Sequence, residues 1–496
     1  MNDSRKLAGQ LIMVRLAGTE LDAPQAAFLK DNGIRAACLF RQNMVDAFQL
    51  SRLNADLGAL MGVDALIALD QEGGAVVRST WVPAPPSAMA LGAADDVDLA
   101  RAIGAAVARA VKALGFNWNF APVLDLNNNP HNPVIAERSF GADPVRATEL
   151  AMAWMAGSES EGVACCVKHF PGHGDTSVDS HRDLPTVDKP LAELEQFEFA
   201  PFRLAAASAP AMMTAHIIYP VLDAEFPATM SRAILTGLLR EQWQYRGVII
   251  TDAMDMHAIA HRYGAGHAAV MALAAGADMV MALGSPDIQQ ETIAAIAAAI
   301  DDGTLPMMDV ERKLARLAAL ARSYPCRPRD YANHFDDASD RVLMLDAWKR
   351  GLTVYGDARR PPAGAKVRLV VRQDVVSDGV SEAGVPAAVV AASLARSYDV
   401  DVVTFPDAER FDWNALPDDG RFTILASTSR LRYGPHARAT WRPDLHLALW
   451  NPYQALDIGA PALITYGFAA PALDAVTAWL DGNLEANGHC PVPGFF

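Results

Sequence analysis

The chain reads as an α/β protein: a (β/α)8 barrel of the TIM type followed by a smaller C-terminal α/β sandwich. Three observations predict this. Short, near-continuously apolar runs alternate with Ala-rich segments of helical period through the first two-thirds of the sequence. Polar residues recur at the C-terminal tips of those runs, and the pattern changes after a break at Pro325 and Pro328.

The candidate strands come in order as residues 11–16, 35–40, 65–70, 117–126, 162–170, 211–216, 247–252 and 278–283. Apolar residues at nearly every position mean burial on both faces, which a parallel sheet with helical crossovers provides, and eight such units close a barrel. The segments "LARAIGAAVARAVKALG" and "SRAILTGLLREQW" are two of the predicted crossover helices. Residues 204–222 carry no formal charge, but Pro210, His216 and Pro220 interrupt them, so they read as a helix end, a buried strand and a loop, with no membrane span.

The barrel domain is expected over residues 1–335. A helical stretch near 341–351 then leads to five further runs, "KVRLVV", "VDVVTF", "FTILAS", "LHLALW" and "ALITYG", which predict the sandwich over 350–496.

Bulk composition narrows the function. A length of 496 residues favours two domains, and 51% hydrophobic with 20% charged residues is the balance of a folded protein. The net charge of -16 repels polyanions, and no basic run offsets it, so nucleic acid and anionic membrane are poor partners. A small or neutral substrate fits better. The five scattered cysteines read as reduced and buried, and the N-terminus lacks a secretory pattern, so a cytoplasmic location is expected. Nothing in the pattern assigns an oligomeric state.

The richest chemistry lies in "KHFPGHGDTSVDSH", residues 168–181, with three histidines, two aspartates and a lysine. It starts at the end of the fifth candidate strand and runs into the loop above the barrel's C-terminal rim, where catalytic groups of such barrels gather. Asp179 and His181 are two apart, so in extended chain their side chains share a side and can hydrogen-bond. Such a bond fixes the ring tautomer and makes His181 a plausible acid that later serves as a base. A metal site remains open here, although the spacing matches no compact zinc signature. His173 reads as a hydrogen-bonding residue of the turn, and His169 as either structural or substrate-binding.

Asp252 ends "GVIITD" with apolar support beneath it, and serves as a nucleophile, a metal ligand or a helix cap. Asp70, Arg138, Lys168 and His169 complete a rim inventory of acceptors and donors suited to sugar hydroxyls. Glu72 is an alternative carboxylate of interest to Asp70, but a backbone-bonding role in the glycine turn that follows it is the stronger reading.

Together, "ALDQEGG", "NFAPVLDL", "ERSFG", "KHFPGHGDTSVDSH" and "GVIITDAMDM", in this order, resemble glycoside hydrolase family three, in particular its bacterial β-N-acetylglucosaminidase branch. The resemblance spans most of residues 1–325. It implies a retaining mechanism without cofactor or metal, with Asp252 as nucleophile and His181, oriented by Asp179, as acid/base. It also implies that Asp70, Arg138, Lys168 and His169 bind the N-acetylglucosamine unit. The expected activity is removal of terminal β-linked N-acetylglucosamine, with cell-wall recycling as its setting. The C-terminal part resembles the family's second domain more weakly, through "WNPYQAL", "PALITYGF" and "PVPG". Rival readings are a phosphorylase on the same site, a metal-dependent barrel hydrolase and a non-catalytic carbohydrate-binding protein.

Overall fold

The structure is a computed structural model in which the described residues are 3–176, 184–327, 337–377 and 379–495. Its first sheet closes on itself. Eight parallel strands, β1 (Ile12–Arg15), β2 (Ala36–Cys38), β3 (Leu66–Leu69), β6 (Trp118–Asn119), β7 (Ala164–Phe170), β8 (Ala211–Thr214), β9 (Val248–Ala253) and β10 (Met279–Ala282), follow one another around a barrel. Each coincides with one of the expected apolar runs. The run at 117–126 yields the shortest strand, because Pro122 has no N–H to extend the ladder; past it, Val123 makes an isolated bridge to Lys168. Between β3 and β6 a small hairpin, β4 (Gln71–Gly73) paired with β5 (Val76–Val77), stands on the C-terminal rim.

The crossover helices are Ala-rich because they pack closely. Helix Val97–Ala113 begins at Asp96, whose side chain accepts from Leu99 N, and helix Pro144–Ser160 begins at Asp143, with proline in its first turn. The two helices touch backbone to backbone: a Cβ on Gly104 would sit 2.0 Å from the carbonyl oxygen of Trp154, and one on Gly157 1.9 Å from that of Arg101. The segment expected as an ordinary helix after Ser231 is instead a π-helix, Ala233–Gln242, whose wider turns are a feature of i→i+5 hydrogen bonding rather than of residue type.

Helix Ala338–Gly351 leads into a six-stranded sheet comprising β11 (Thr353–Tyr355), β12 (Lys366–Arg372), β13 (Asp399–Phe405), β14 (Phe422–Ser427), β15 (Leu445–Ala448) and β16 (Ala462–Ile464). The order is β11-β16-β15-β14-β12-β13, parallel except for β11, an edge strand too short to register as an apolar run. Successive residues feed opposite cores. Leu369, Val371, Ile424 and Ala426 pack into one, and Val370 and Leu425 into the other, so both faces are covered as a sandwich requires.

The two domains share an apolar cluster, with Met89, Ala90 and Ala93 of the barrel against Trp348, Tyr453, Tyr466 and Val492. The chain end returns to the barrel, where His489 N donates to Ala93 O at 3.0 Å and Ala142 N donates to Pro491 O at 3.0 Å. Among the described residues no helix is long and apolar enough to cross a membrane.

Candidate active site

At the C-terminal rim the strand ends converge on one open cavity. Asp70 follows β3, Lys168 and His169 lie in β7, and Asp252 lies near the end of β9; all four line it, joined by Arg138 from the short turn Ala136–Arg138. Lys168 and His169 both face the cavity although they are consecutive, and the peptide between them is cis.

The charges interlock. Lys168 Nζ donates to Asp70 Oδ1 at 2.7 Å and lies 2.6 Å from Glu72 Oε1. Arg138 grips Glu72 with two nitrogens, Nε to Oε2 and Nη2 to Oε1, both at 2.8 Å. Glu72 is therefore no turn residue: hairpin β4–β5 turns its carboxylate inward between two buried cations. Burial alone would raise the Glu72 carboxyl, but Arg138 and Lys168 override it and hold it well below the usual carboxylate range. Burial likewise works to lower the Lys168 ammonium, and Asp70 and Glu72 reverse that effect, holding it above its ordinary value. Glu72, Arg138 and Lys168 therefore stay charged at neutral pH.

His169 is fixed from both sides. Its Nδ1 lies 2.7 Å from Asp125 Oδ2, and its Nε2 stands 3.4 Å from Arg138 Nη2. A guanidinium can only donate, so the neutral form of the ring would accept on Nε2 and carry its proton on Nδ1, toward Asp125. Asp125 Oδ1 also accepts from His173 N at 2.6 Å, and His173 Nδ1 lies 2.8 Å from Thr176 Oγ1. Burial, with His169 adding to it, pushes the His173 imidazole down to about 4, so it is neutral at pH 7. Asp252 is half-buried at the cavity wall, its Oδ1 accepting from Ala253 N at 2.7 Å.

Asp179 and His181, the expected acid/base pair, lie outside the described residues. The structure adds residues to the site. Arg78 lines the cavity because the Gln71 side chain holds the returning arm of the hairpin, its Oε1 accepting from Arg78 N and Ser79 N. The signal was present in "DQEGGAVVR", where a two-glycine turn brings the arginine back beside the acidic end. Gly379 and Val380 of the C-terminal domain also line the cavity, which no local spacing could reveal.

Comparison with known proteins agrees with this geometry. The family model described as glycosyl hydrolase family 3 N terminal domain matches residues 4–320. A β-hexosaminidase from Chromobacterium violaceum is 37% identical over 324 residues, covering 63% of this chain and 87% of that protein. The β-hexosaminidase A of Pseudoalteromonas piscicida is 35% identical over 353 residues, 65% of this chain, and the match spans 58% of that longer protein. Among solved structures, a family 3 β-N-acetylglucosaminidase from Paenibacillus sp. superposes with a TM-score of 0.88 at 30% identity, covering 99% of both chains.

Proposed function

The chain belongs to glycosyl hydrolase family 3, and from that premise we propose that it is a retaining exo-β-N-acetylglucosaminidase. The observation that carries this reading is the convergence of Asp70, Arg138, Lys168, His169 and Asp252 on a single rim cavity. The names of the two bacterial relatives and of the Paenibacillus structure support the amino-sugar substrate. The C-terminal domain wall at Val380 gives the cavity the form of a pocket, which suits removal of one terminal sugar at a time.

In this mechanism the cations and carboxylates at the pocket base hold the sugar hydroxyls. Asp252 attacks the anomeric carbon as the bond to the leaving oxygen breaks, and His181 delivers its proton to that oxygen. The enzyme–sugar ester is then attacked by water, whose proton returns to His181. Asp252 is released and the product keeps the β configuration. Asp179 orients the imidazole throughout. No cofactor or metal enters either step. The five cysteines are free, four of them buried, which supports a reducing, cytoplasmic setting in which cell-wall fragments are recycled.

The test is hydrolysis of 4-nitrophenyl N-acetyl-β-glucosaminide followed by proton NMR. β-N-acetylglucosamine should form first, and Asp252→Asn should lower kcat by about 10³-fold or more. Initial α product, a sugar phosphate formed in phosphate buffer, or a chelator-sensitive rate restored by zinc would each reject it.

A further inference from the structure

Arg78 spans two domains with one guanidinium. Its Nη1 donates to Glu382 Oε1 at 3.0 Å, while its Nη2 stands 3.5 Å from Asp70 Oδ2. The first is an ordinary ion-pair hydrogen bond; the second is longer than such a bond. The other oxygen of Asp70 is already taken by Lys168 at 2.7 Å. Oδ2 is therefore the Asp70 oxygen that a cation has approached without closing on it.

Glu382 is well placed to hold that cation back. Its backbone N donates to Ala75 O at 2.9 Å, pinning it to the tip of hairpin β4–β5. On one side, Ser381 Oγ accepts from Arg430, which also reaches Glu137 Oε1 at 3.0 Å. One residue further back, Val380 packs with Val76, Val134 and Ile135 in a small apolar cluster beside the cavity. The segment is thus docked on the barrel by main chain, by buried charge and by apolar contact. The Glu382 carboxylate competes with Asp70 for the guanidinium of Arg78, a residue that is buried.

We propose that Glu382, supplied by the C-terminal domain, is a positioning residue that restrains Arg78 and so keeps Asp70 Oδ2 open to accept a sugar hydroxyl. This rests on the reading of the cavity as a sugar site. Neutralising Glu382 frees Arg78 to close on Asp70, and the substrate then has to displace it. Affinity falls, while the chemistry at Asp252 is untouched.

The experiment compares wild type, Glu382→Gln, Arg78→Met and the double variant, using kinetics on 4-nitrophenyl N-acetyl-β-glucosaminide, thermal unfolding and crystal structures. Glu382→Gln should raise KM about fivefold with kcat within about twofold of wild type, and in the double variant it should add nothing to the effect of Arg78→Met. In crystals of Glu382→Gln the Arg78–Asp70 separation should shorten to about 2.8 Å. An unchanged KM, effects that add in the double variant, or a separation that stays at 3.5 Å overturns the proposal. A wild type inactive on the aryl amino sugar rejects the enzyme reading instead, and the Arg78–Asp70 separation still decides the restraint.

Discussion

His216 Nε2 donates to the carbonyl oxygen of Ala253 at 3.0 Å, one residue past Asp252. A carbonyl can only accept, so the ring proton sits on Nε2, and Nδ1 faces Thr229 Oγ1 at 2.8 Å. The end of β8 thereby holds the end of β9. If Asp252 is the nucleophile as proposed, His216→Ala removes that donor and lets its carboxylate wander from its line of attack, where small displacements are costly. The expected result is a fall in kcat of about tenfold or more with a smaller change in KM. His216→Gln, which can still donate, should recover part of it.

Glu72→Gln takes the carboxylate from between Arg138 and Lys168 and leaves buried positive charge uncompensated. Breaking such a cluster costs about 3–5 kcal/mol, read as a lower urea midpoint. The pH dependence follows from the depressed Glu72 carboxyl. A carboxyl held low in the fold stabilises it above the unfolded value of about 4.3, and that contribution is lost as pH falls below it. The wild type should therefore lose stability on acidification more steeply than Glu72→Gln.

Glu159, on helix Pro144–Ser160, gives the opposite sign. Burial pushes its carboxyl up to about 7. The folded state holds the proton more tightly than the unfolded chain, so this contribution is full below about 4.3 and is lost as pH rises toward 7. Glu159→Gln should flatten the thermal unfolding profile across that interval and raise Tm at pH 8. A variant whose profile parallels wild type between pH 4 and 8 would contradict this.

Gly157→Ala tests the helix contact. Alanine is the better helix former by about 1 kcal/mol, so propensity alone predicts a gain. The new Cβ would meet Arg101 O at 1.9 Å, however, and the helices must part to admit it. A net loss of about 1–3 kcal/mol in calorimetric stability is expected.

All eight barrel strands were legible because a strand buried on both faces must be apolar along its length, and that signature survives in sequence. The π-helix was not legible, since the residue types of 233–242 are those of an ordinary helix and carry no mark of i→i+5 bonding. Strand β11 escaped notice because three residues carry no period. At the site, groups on strand tips could be named from position alone, as with Lys168 and Asp252. Glu72 was misplaced because a glycine turn says where the backbone bends, not which way the preceding side chain points. The pairing of Arg78 with Glu382 joins residues 304 apart in sequence, so no local pattern encodes it. The Asp179–His181 dyad stands on spacing and family resemblance, outside the described residues.

The returning chain end acts as a strap. With residues 489 and 491 bonded to the barrel and Val492 sunk in the apolar cluster the two domains share, this segment ties one domain to the other. Such a tie works against a swing of one domain past the other. Trimming the last eight residues would loosen that tie, giving a protein that breathes between its halves and unfolds at a lower temperature.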